Sequence, residues 1–333
     1  MPLLLSDRAM LTSPLPLVTS SESRALGIRI RAATHVRVRS GIHASRHAYE
    51  ALKSWERYAV RVHAFARAHP DMPLCLESAA VAWGLPHFGE TKDIHVYDPA
   101  RTRSRRFGDV AVHTSSDGRS IERRGGLLVT SLLDTVTDLT RVLPPAEALA
   151  VVDAAISPTQ RGRLRLAALR EHASAQATSR GSGRQRWLWD RADGRSESPG
   201  ESISRAVIEW CGYEDPELQR TFHYERAQDR VDFHFPSVRA IGESDGWGKY
   251  DLNDPEKAAR QLKEEKRRED RLRRHDHPFA RWVLADAWRV EPLRSALSGA
   301  GVPLVRPPQP AMLATLQQRP RAVRHQREKP DPA

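Results

Sequence analysis

The sequence predicts an α/β protein built from more than one unit, and three observations carry this. Helix-period segments and short alternating strands are interleaved between residues 46 and 160. A stretch rich in Ser, Gly, Ala and Arg follows at 171–200. A second series then begins, a helix, then strands that contain acids, then a long charged helix. At 333 residues the chain is long enough for two domains, each burying its own core.

Residues 1–18 contain Asp7, Arg8, Pro14 and Pro16 within a mildly apolar text, with no basic segment ahead of it. They are expected to be a flexible leader rather than a signal peptide. In residues 19–45 a short helical piece precedes HVRVRSGI. Val36 and Val38 fall on one face there and Arg37 and Arg39 on the other, before a turn at Gly41. A helix followed by an arginine-faced ribbon has the pattern of a winged-helix segment. Residues 46–170 form an α/β unit. YEALKSWERYAVRVHAF has apolar residues at helical spacing, and ESAAVAWGLP is a second helix stopped by Gly84 and Pro86. KDIHVYDP, DVAVHTS and LLVTS are strands. SLLDTVTDLTRVLP is a helix capped by Ser131, and PAEALAVVDAAI is another. Residues 171–197 are expected to be a linker, 198–300 a second domain, and the Pro-rich, charged 301–333 a disordered tail.

The chain has 53 Lys and Arg against 42 Asp and Glu, a formal charge of +11. Such an excess favours polyanionic partners, nucleic acid first, although heavy use of arginine for solvation gives the same number. The two cysteines, Cys75 and Cys211, make no metal-binding or disulfide pattern, which fits a reducing cytoplasm. No run of 18 apolar residues is present, so no membrane span is expected.

The chemistry concentrates in RVDFHFPSVRAIGESDGWGKY, residues 230–250. Strands usually exclude acids, yet Asp232, Glu243 and Asp245 stand inside two apolar runs. Alternation places Val231, Phe233 and Phe235 on one face and Asp232 and His234 on the other. If PSVR is a four-residue hairpin loop, Phe235 pairs with Ala240, His234 with Ile241, Phe233 with Gly242 and Asp232 with Glu243. Paired residues have Cβ atoms roughly 4.5–5.5 Å apart, and Asp245 shares the face of Glu243. Acids this close repel unless a cation or arginines meet them, and a divalent metal such as magnesium takes several carboxylate oxygens. Asp232, Glu243 and Asp245 are therefore candidate metal ligands, with arginine pairing on a solvated strand as the alternative. Lys249, or Lys266 four residues beyond Leu262 on the charged helix, is positioned to orient or activate water. Ser198-Pro199-Gly200-Glu201 reads as a capping box, so Glu201 either caps its own helix or serves the site.

These blocks resemble the PD-(D/E)xK restriction-endonuclease-like superfamily, and most of all its small domain related to very-short-patch-repair endonucleases. The blocks are SESPGES, LQRTFHY, RVDFHFPSVRAIGESDGWGKY and EKRREDRLRR, and the resemblance covers residues 198–298. The resemblance implies a mixed sheet flanked by helices and magnesium-dependent phosphodiester cleavage. It assigns metal binding to Asp232, Glu243 and Asp245, and the helix acid to Glu201. Where the superfamily usually has lysine, this chain has Asp245. The first half is similar to AbiEi-type antitoxins of type IV toxin–antitoxin systems, carried by RVRSGI, ESAAVAWGLP, DIHVYDP and GGLLVTSLLDTVTDLTRVLP. That resemblance implies a DNA-reading winged helix and a cognate nucleotidyltransferase toxin as partner. Arg37 and Arg39 of the ribbon, with Arg267 and Arg268 of the charged helix, are the candidate nucleic-acid contacts. Two functions are thus expected in competition, a magnesium-dependent endodeoxyribonuclease and a non-catalytic antitoxin-like regulator. A processing nuclease for RNA fits the charge as well, without an aromatic-studded RNA-binding motif to support it.

Overall fold

The computed structural model describes residues 4–245, 255–318 and 321. The chain is α/β, as its pattern predicts, and divides into two compact units. The first holds residues 4–142, 167–182 and 321, and the second holds 143–166 and 183–318.

The first unit opens with α1 (Leu5–Arg8), β1 (Val18–Thr19), α2 (Ser20–Ala25), β2 (His35–Arg39) and β3 (Ile42–Ser45). Strands β2 and β3 are the expected ribbon, turning at Gly41 with φ 70°, and β1 adds to it in the order β1-β3-β2. Helices α3 (Arg46–Ala51), α4 (Ser54–Ala68) and α5 (Leu76–Trp83) follow. Then come β4 (Ile94–Tyr97), β5 (Arg105–Phe107), β6 (Val110–His113), β7 (Ile121–Arg124), β8 (Leu127–Thr130) and α6 (Leu132–Val142). Ser131 caps α6 as expected, its Oγ accepting from the Asp134 N–H at 3.1 Å. Strand β6 lies between β4, its parallel neighbour, and β5, its antiparallel one. Tyr58, Ala80, Ile94, Val96, Val129 and Val136 are buried in this unit's core.

The leader is not loose from residue 4 onward. Leu5 is buried, and the Met10 N–H donates to the Val81 carbonyl of α5 at 3.0 Å. Gly84, at φ 69°, ends α5, and a Cβ there would lie 1.9 Å from the Leu5 carbonyl oxygen. The glycine is needed both for the left-handed cap and for that close approach.

After α6 the chain enters the second unit as α7 (Pro145–Ile156) and returns to the first as α8 (Leu166–Ala175). The expected α/β unit ended at residue 170 and so included α7. The reason for the difference is a buried charge. Asp153 of α7 is fully enclosed and accepts from the Arg205 guanidinium, the Ser202 hydroxyl (both 2.7 Å) and the Asp193 N–H (2.8 Å). Those donors belong to the second unit, and a buried carboxylate stays with its donors. The expected linker is part helix, at the stretch that contains WLWD. It contains α9 (Ser182–Arg191), whose Trp187 packs 5.2 Å from Trp210 and bonds Glu209.

The second unit continues with α10 (Pro199–Cys211), β9 (Glu217–Tyr224), β10 (Ala227–Phe235), β11 (Ala240–Asp245), α11 (Pro255–Arg274) and β12 (Phe279–Val283). It closes with α12 (Leu284–Arg289), α13 (Glu291–Gly299) and α14 (Pro310–Thr315). Its sheet is mixed, in the order β12-β11-β10-β9. Strands β9, β10 and β11 form an antiparallel meander, and β12 runs parallel to β11. A parallel neighbour requires a crossover, and α11 supplies it. The hairpin register matches the expected one at Phe235↔Ala240, His234↔Ile241 and Phe233↔Gly242.

The expected disordered tail is ordered as far as residue 318. The last carbonyls of a helix need donors, and the tail provides them. Gln309 N–H donates to the Trp210 carbonyl at 2.7 Å, and Val305 N–H to that of Gly212 at 2.8 Å. Residues 322–333 lie outside the described residues.

Gly242 marks the tightest point of this sheet. A Cβ on it falls 2.7 Å from Cη2 of Trp282, whose indole N–H is fixed on Ser204 Oγ at 2.8 Å. Gly242→Ala is expected to cost about 1–3 kcal/mol by overpacking, measured by urea unfolding. A Cβ on Gly183 of α9 meets nothing within 4 Å, and Gly183→Ala is expected to leave stability level or slightly raised.

Candidate functional site

The site is assembled around the start of α10, the middle of the meander and the inward face of α11. Ser198 caps α10, its Oγ accepting from the Glu201 N–H at 3.2 Å, with Pro199 in the first turn and Gly212 (φ 91°) closing the helix. The expected capping box is only half present. Glu201 does not turn back to its own cap. Its Oε2 accepts instead from the Glu197 N–H and from the Gln219 side-chain amide, each at 2.9 Å. The carboxylate thus ties the helix start to β9. Burial raises its pKa above the usual carboxylate range, opposed by these hydrogen bonds and reinforced by the charge of Glu197.

Gln219 reaches Glu201 from an unusual backbone. It stands inside β9 with φ 54°, a left-handed conformation rare for a residue with a side chain and costly by about 1–3 kcal/mol. The β9–β10 pairing is interrupted there, running Val231↔Arg220 and then Phe233↔Leu218, with Asp232 in the gap opposite Gln219. The strand alternation breaks at the same point. Val231 clusters with Ile241 and Leu272, whereas Phe233 stacks on Trp282 beside Gly242. Ile241 and Gly242 are neighbours on one strand and face opposite ways, so Val231 and Phe233 do not share the face that simple alternation assigns them. Asp232, half-buried, uses Oδ2 to accept from the Ser244 N–H at 3.0 Å. The expected Asp232–Glu243 pair is replaced by this side-chain-to-backbone bond.

Glu243 is buried on β11, directly beside Arg281 of the parallel strand β12. One guanidinium nitrogen of Arg268 lies 2.6 and 2.5 Å from its two oxygens, and Arg281 approaches at 3.3 Å. Arg281 also meets Glu265 at 2.7 Å, Glu269 at 3.5 Å and Asp245 at 3.9 Å. Burial works against both guanidinium charges, but the surrounding carboxylates outweigh it and raise both pKa values. Carboxylate oxygens of Glu243, Asp245 and Glu265 all lie within 4.8 Å of one another.

Of the sequence-predicted metal ligands, the structure brings Glu243 and Asp245 together and holds Asp232 on Ser244. Glu265 completes the group instead, and sequence reasoning missed it. Lys266, expected on the inward face, is exposed. That expectation counted from Leu262, which is itself 51% exposed. Among the described residues of α11 the buried apolar one is Leu272, and counting back three, four and seven positions from it gives Glu269, Arg268 and Glu265. Lys249 lies outside the described residues. Among the candidate nucleic-acid contacts, Arg37 and Arg267 are exposed, whereas Arg268 is engaged by Glu243. Arg39 does not face outward. The β2–β3 register shifts between Arg37 and Arg39, turning Arg39 onto Asp109 (3.0 Å) and over the Phe65 ring (5.0 Å).

Comparison with known proteins gives relatives without a described activity. The chain is 35% identical over 171 residues to two proteins of Mycobacterium tuberculosis, uncharacterized protein MT2308 (strain CDC 1551 / Oshkosh) and uncharacterized protein Rv2248 (strain ATCC 25618 / H37Rv). The match covers 51% of this chain and 60% of each relative. No protein-family model matches the chain, and no solved structure does. Among the described residues, no helix is long and apolar enough to cross a membrane.

Removing the Glu243 charge leaves two half-buried guanidiniums without their shared partner. Glu243→Ala is expected to destabilise the protein by about 3–5 kcal/mol, read by chemical denaturation. Asp245→Asn, at a more exposed carboxylate, is expected to change stability by about 1 kcal/mol or less. Glu201 predicts a pH signature. Its folded pKa is raised, so the folded protein holds this proton more tightly than the unfolded chain. The group therefore disfavours folding progressively as pH rises from the usual carboxylate range through its raised folded pKa, and contributes nothing at lower pH. Glu201→Gln keeps an oxygen for both donors and removes the charge. Its stability relative to the parent protein is expected to rise across that window and to stay level below it.

Proposed function

We propose that this chain is a DNA-binding protein whose second unit is a magnesium-dependent phosphodiesterase of the endonuclease-like kind. The observation that carries this reading is the gathering of Glu243, Asp245 and Glu265 oxygens within 4.8 Å at the end of a mixed sheet. The order of elements supports it as well: a helix bearing a buried glutamate, three antiparallel strands, a charged crossover helix and a parallel strand. The helix glutamate, the two acidic strands and the charged helix come in the order the superfamily resemblance implies.

The donor set fits a hard divalent cation, being all carboxylate oxygen from residues already close together. Glu243, Asp245 and Glu265 would hold it. When bound, such an ion polarises a phosphate and lowers the pKa of an attacking water. The chain's other residues serve position and charge. Asp232 fixes β11 through the Ser244 N–H, Gln219 fixes Glu201, and Glu201, with its raised pKa, is a group suited to holding a proton.

A second reading is favoured by a specific contact. Arg268 and Arg281 already neutralise Glu243, so the acids need no cation to be stable, as suits a regulator that binds DNA without cutting it. This is the antitoxin-like alternative, with a nucleotidyltransferase toxin as its partner.

One experiment separates the two. Purified protein is incubated with supercoiled plasmid, with magnesium or with EDTA, beside Asp245→Asn and Glu265→Gln. The enzyme reading expects nicking that requires magnesium and falls below detection in both variants. A gel shift without nicking in the parent protein supports the regulator and overturns the enzyme.

A further inference from the structure

We propose that the outer edge of the first unit's β4-β6-β5 sheet is a binding surface for single-stranded DNA, with Phe107 as its stacking platform. The choice of DNA rests on the proposed function; the surface itself rests on the residues below.

Strand β5 is the edge of its sheet, paired only to β6. At its end Phe107 is 49% exposed, an unusual place for a large ring. The guanidinium carbons of Arg101 and Arg105 lie 5.4 and 6.0 Å from its centroid. Arg103 and Arg105 are exposed. Among the described residues, none of Arg101, Arg103 and Arg105 forms an ion pair, although acids stand close by in the chain. Asp93 is bound by Arg106, and Asp109 is bound by Arg39 and Arg61. Those two carboxylates are thus engaged by other arginines, and Asp98 accepts the Ala100 N–H at 3.0 Å. The guanidiniums of Arg101 and Arg105 remain beside one exposed ring, with exposed Arg103 between them in the chain.

Arginines alone would guard an open sheet edge against pairing with another chain. They do not explain the ring, whose exposure works against that purpose. An aromatic face flanked by cations is what a single strand requires: bases stack on the ring and phosphates lie along the charges. In a duplex the bases already stack on each other, so a duplex can use the arginines but not Phe107. The sequence RTRSRRFGD does not announce such a surface, because its arginines are nearly consecutive and its single Phe has no periodic partner. Only the edge position of β5 shows the ring to be available.

The test uses the full chain and a fluorescent oligothymidine of about 15 nucleotides, a length within the span that single-strand sites cover. Affinity is read by anisotropy in EDTA, so failure of the cleavage reading does not affect this result. Phe107→Ala is expected to weaken binding about 5- to 150-fold, the loss of one stacked base, and Phe107→Trp to retain it. Arg103→Glu with Arg105→Glu is expected to flatten the salt dependence by about 0.7 for each phosphate that an arginine no longer neutralises. Circular dichroism verifies that the variants fold. Phe107→Ala binding as tightly as the parent protein overturns the proposal. So does a duplex of the same length that competes equally and is equally sensitive to Phe107→Ala. Preference for oligouridine over oligothymidine overturns the assignment to DNA.

Discussion

A carboxylate buried on an inner strand of a sheet persists only if positive charge is delivered to it, and Glu243 sets that condition for the second unit. Its desolvation is large, and its neighbour across the β11–β12 pair is Arg281. A second guanidinium comes from Arg268, carried by the helix that makes the parallel connection possible. The same ion pairs therefore fix the rotation of α11, the register of β12 against β11 and the convergence of Asp245 and Glu265 on the acid they surround. A solvated network of this kind adds little stability. With Glu243 enclosed, losing either partner exposes the full cost of a buried charge.

The other half of the site is held by backbone geometry. The left-handed Gln219 breaks the β9–β10 pairing, and that break does two things at once. It aims the Gln219 amide at Glu201 of the preceding helix, and it leaves Asp232 out of the ladder to accept the Ser244 N–H. Gly200 sits at the junction, where a Cβ would lie 3.0 Å from Ser244 Oγ. A strained residue joining a helix acid to a strand acid is the kind of local cost that persists at functional positions because the surroundings over-determine it. The features that stand out as anomalies in the sequence, acids inside apolar runs, are met by two devices: arginine pairs on one side and a ladder interruption on the other.

The antiparallel hairpin at 230–245 was legible because a four-residue loop leaves one register, and three pairs follow from it. Ser131 and Ser198 as caps, and Gly84 as a terminator, were legible for the same reason, since each acts within one turn of its own helix. Two other assignments went wrong where a local rule was extended past a break. Arg39 was placed outward by alternation, but the register shift after Arg37 turned it inward. Lys266 was placed inward by counting from Leu262, but Leu262 is exposed, and neighbouring helical residues point about 100° apart. The tail beyond 301 read as disordered because it is rich in proline and charge. Composition does not reveal that two unsatisfied carbonyls at the end of α10 await its N–H groups.

Local patterns thus settled the α/β class, three pairs of the acidic hairpin and two members of the carboxylate group, Glu243 and Asp245. These depend on periodicities of two and 3.6 residues and on turns of a few residues, which neighbouring side chains control. Tertiary structure alone decided that Glu265 joins them, that Asp232 binds a backbone N–H, that α7 belongs with α10, and that Phe107 stands at an open edge. Each of those depends on contacts between segments tens of residues apart, set by where buried charges and unpaired backbone groups find partners. No single stretch of sequence contains both ends of such a contact.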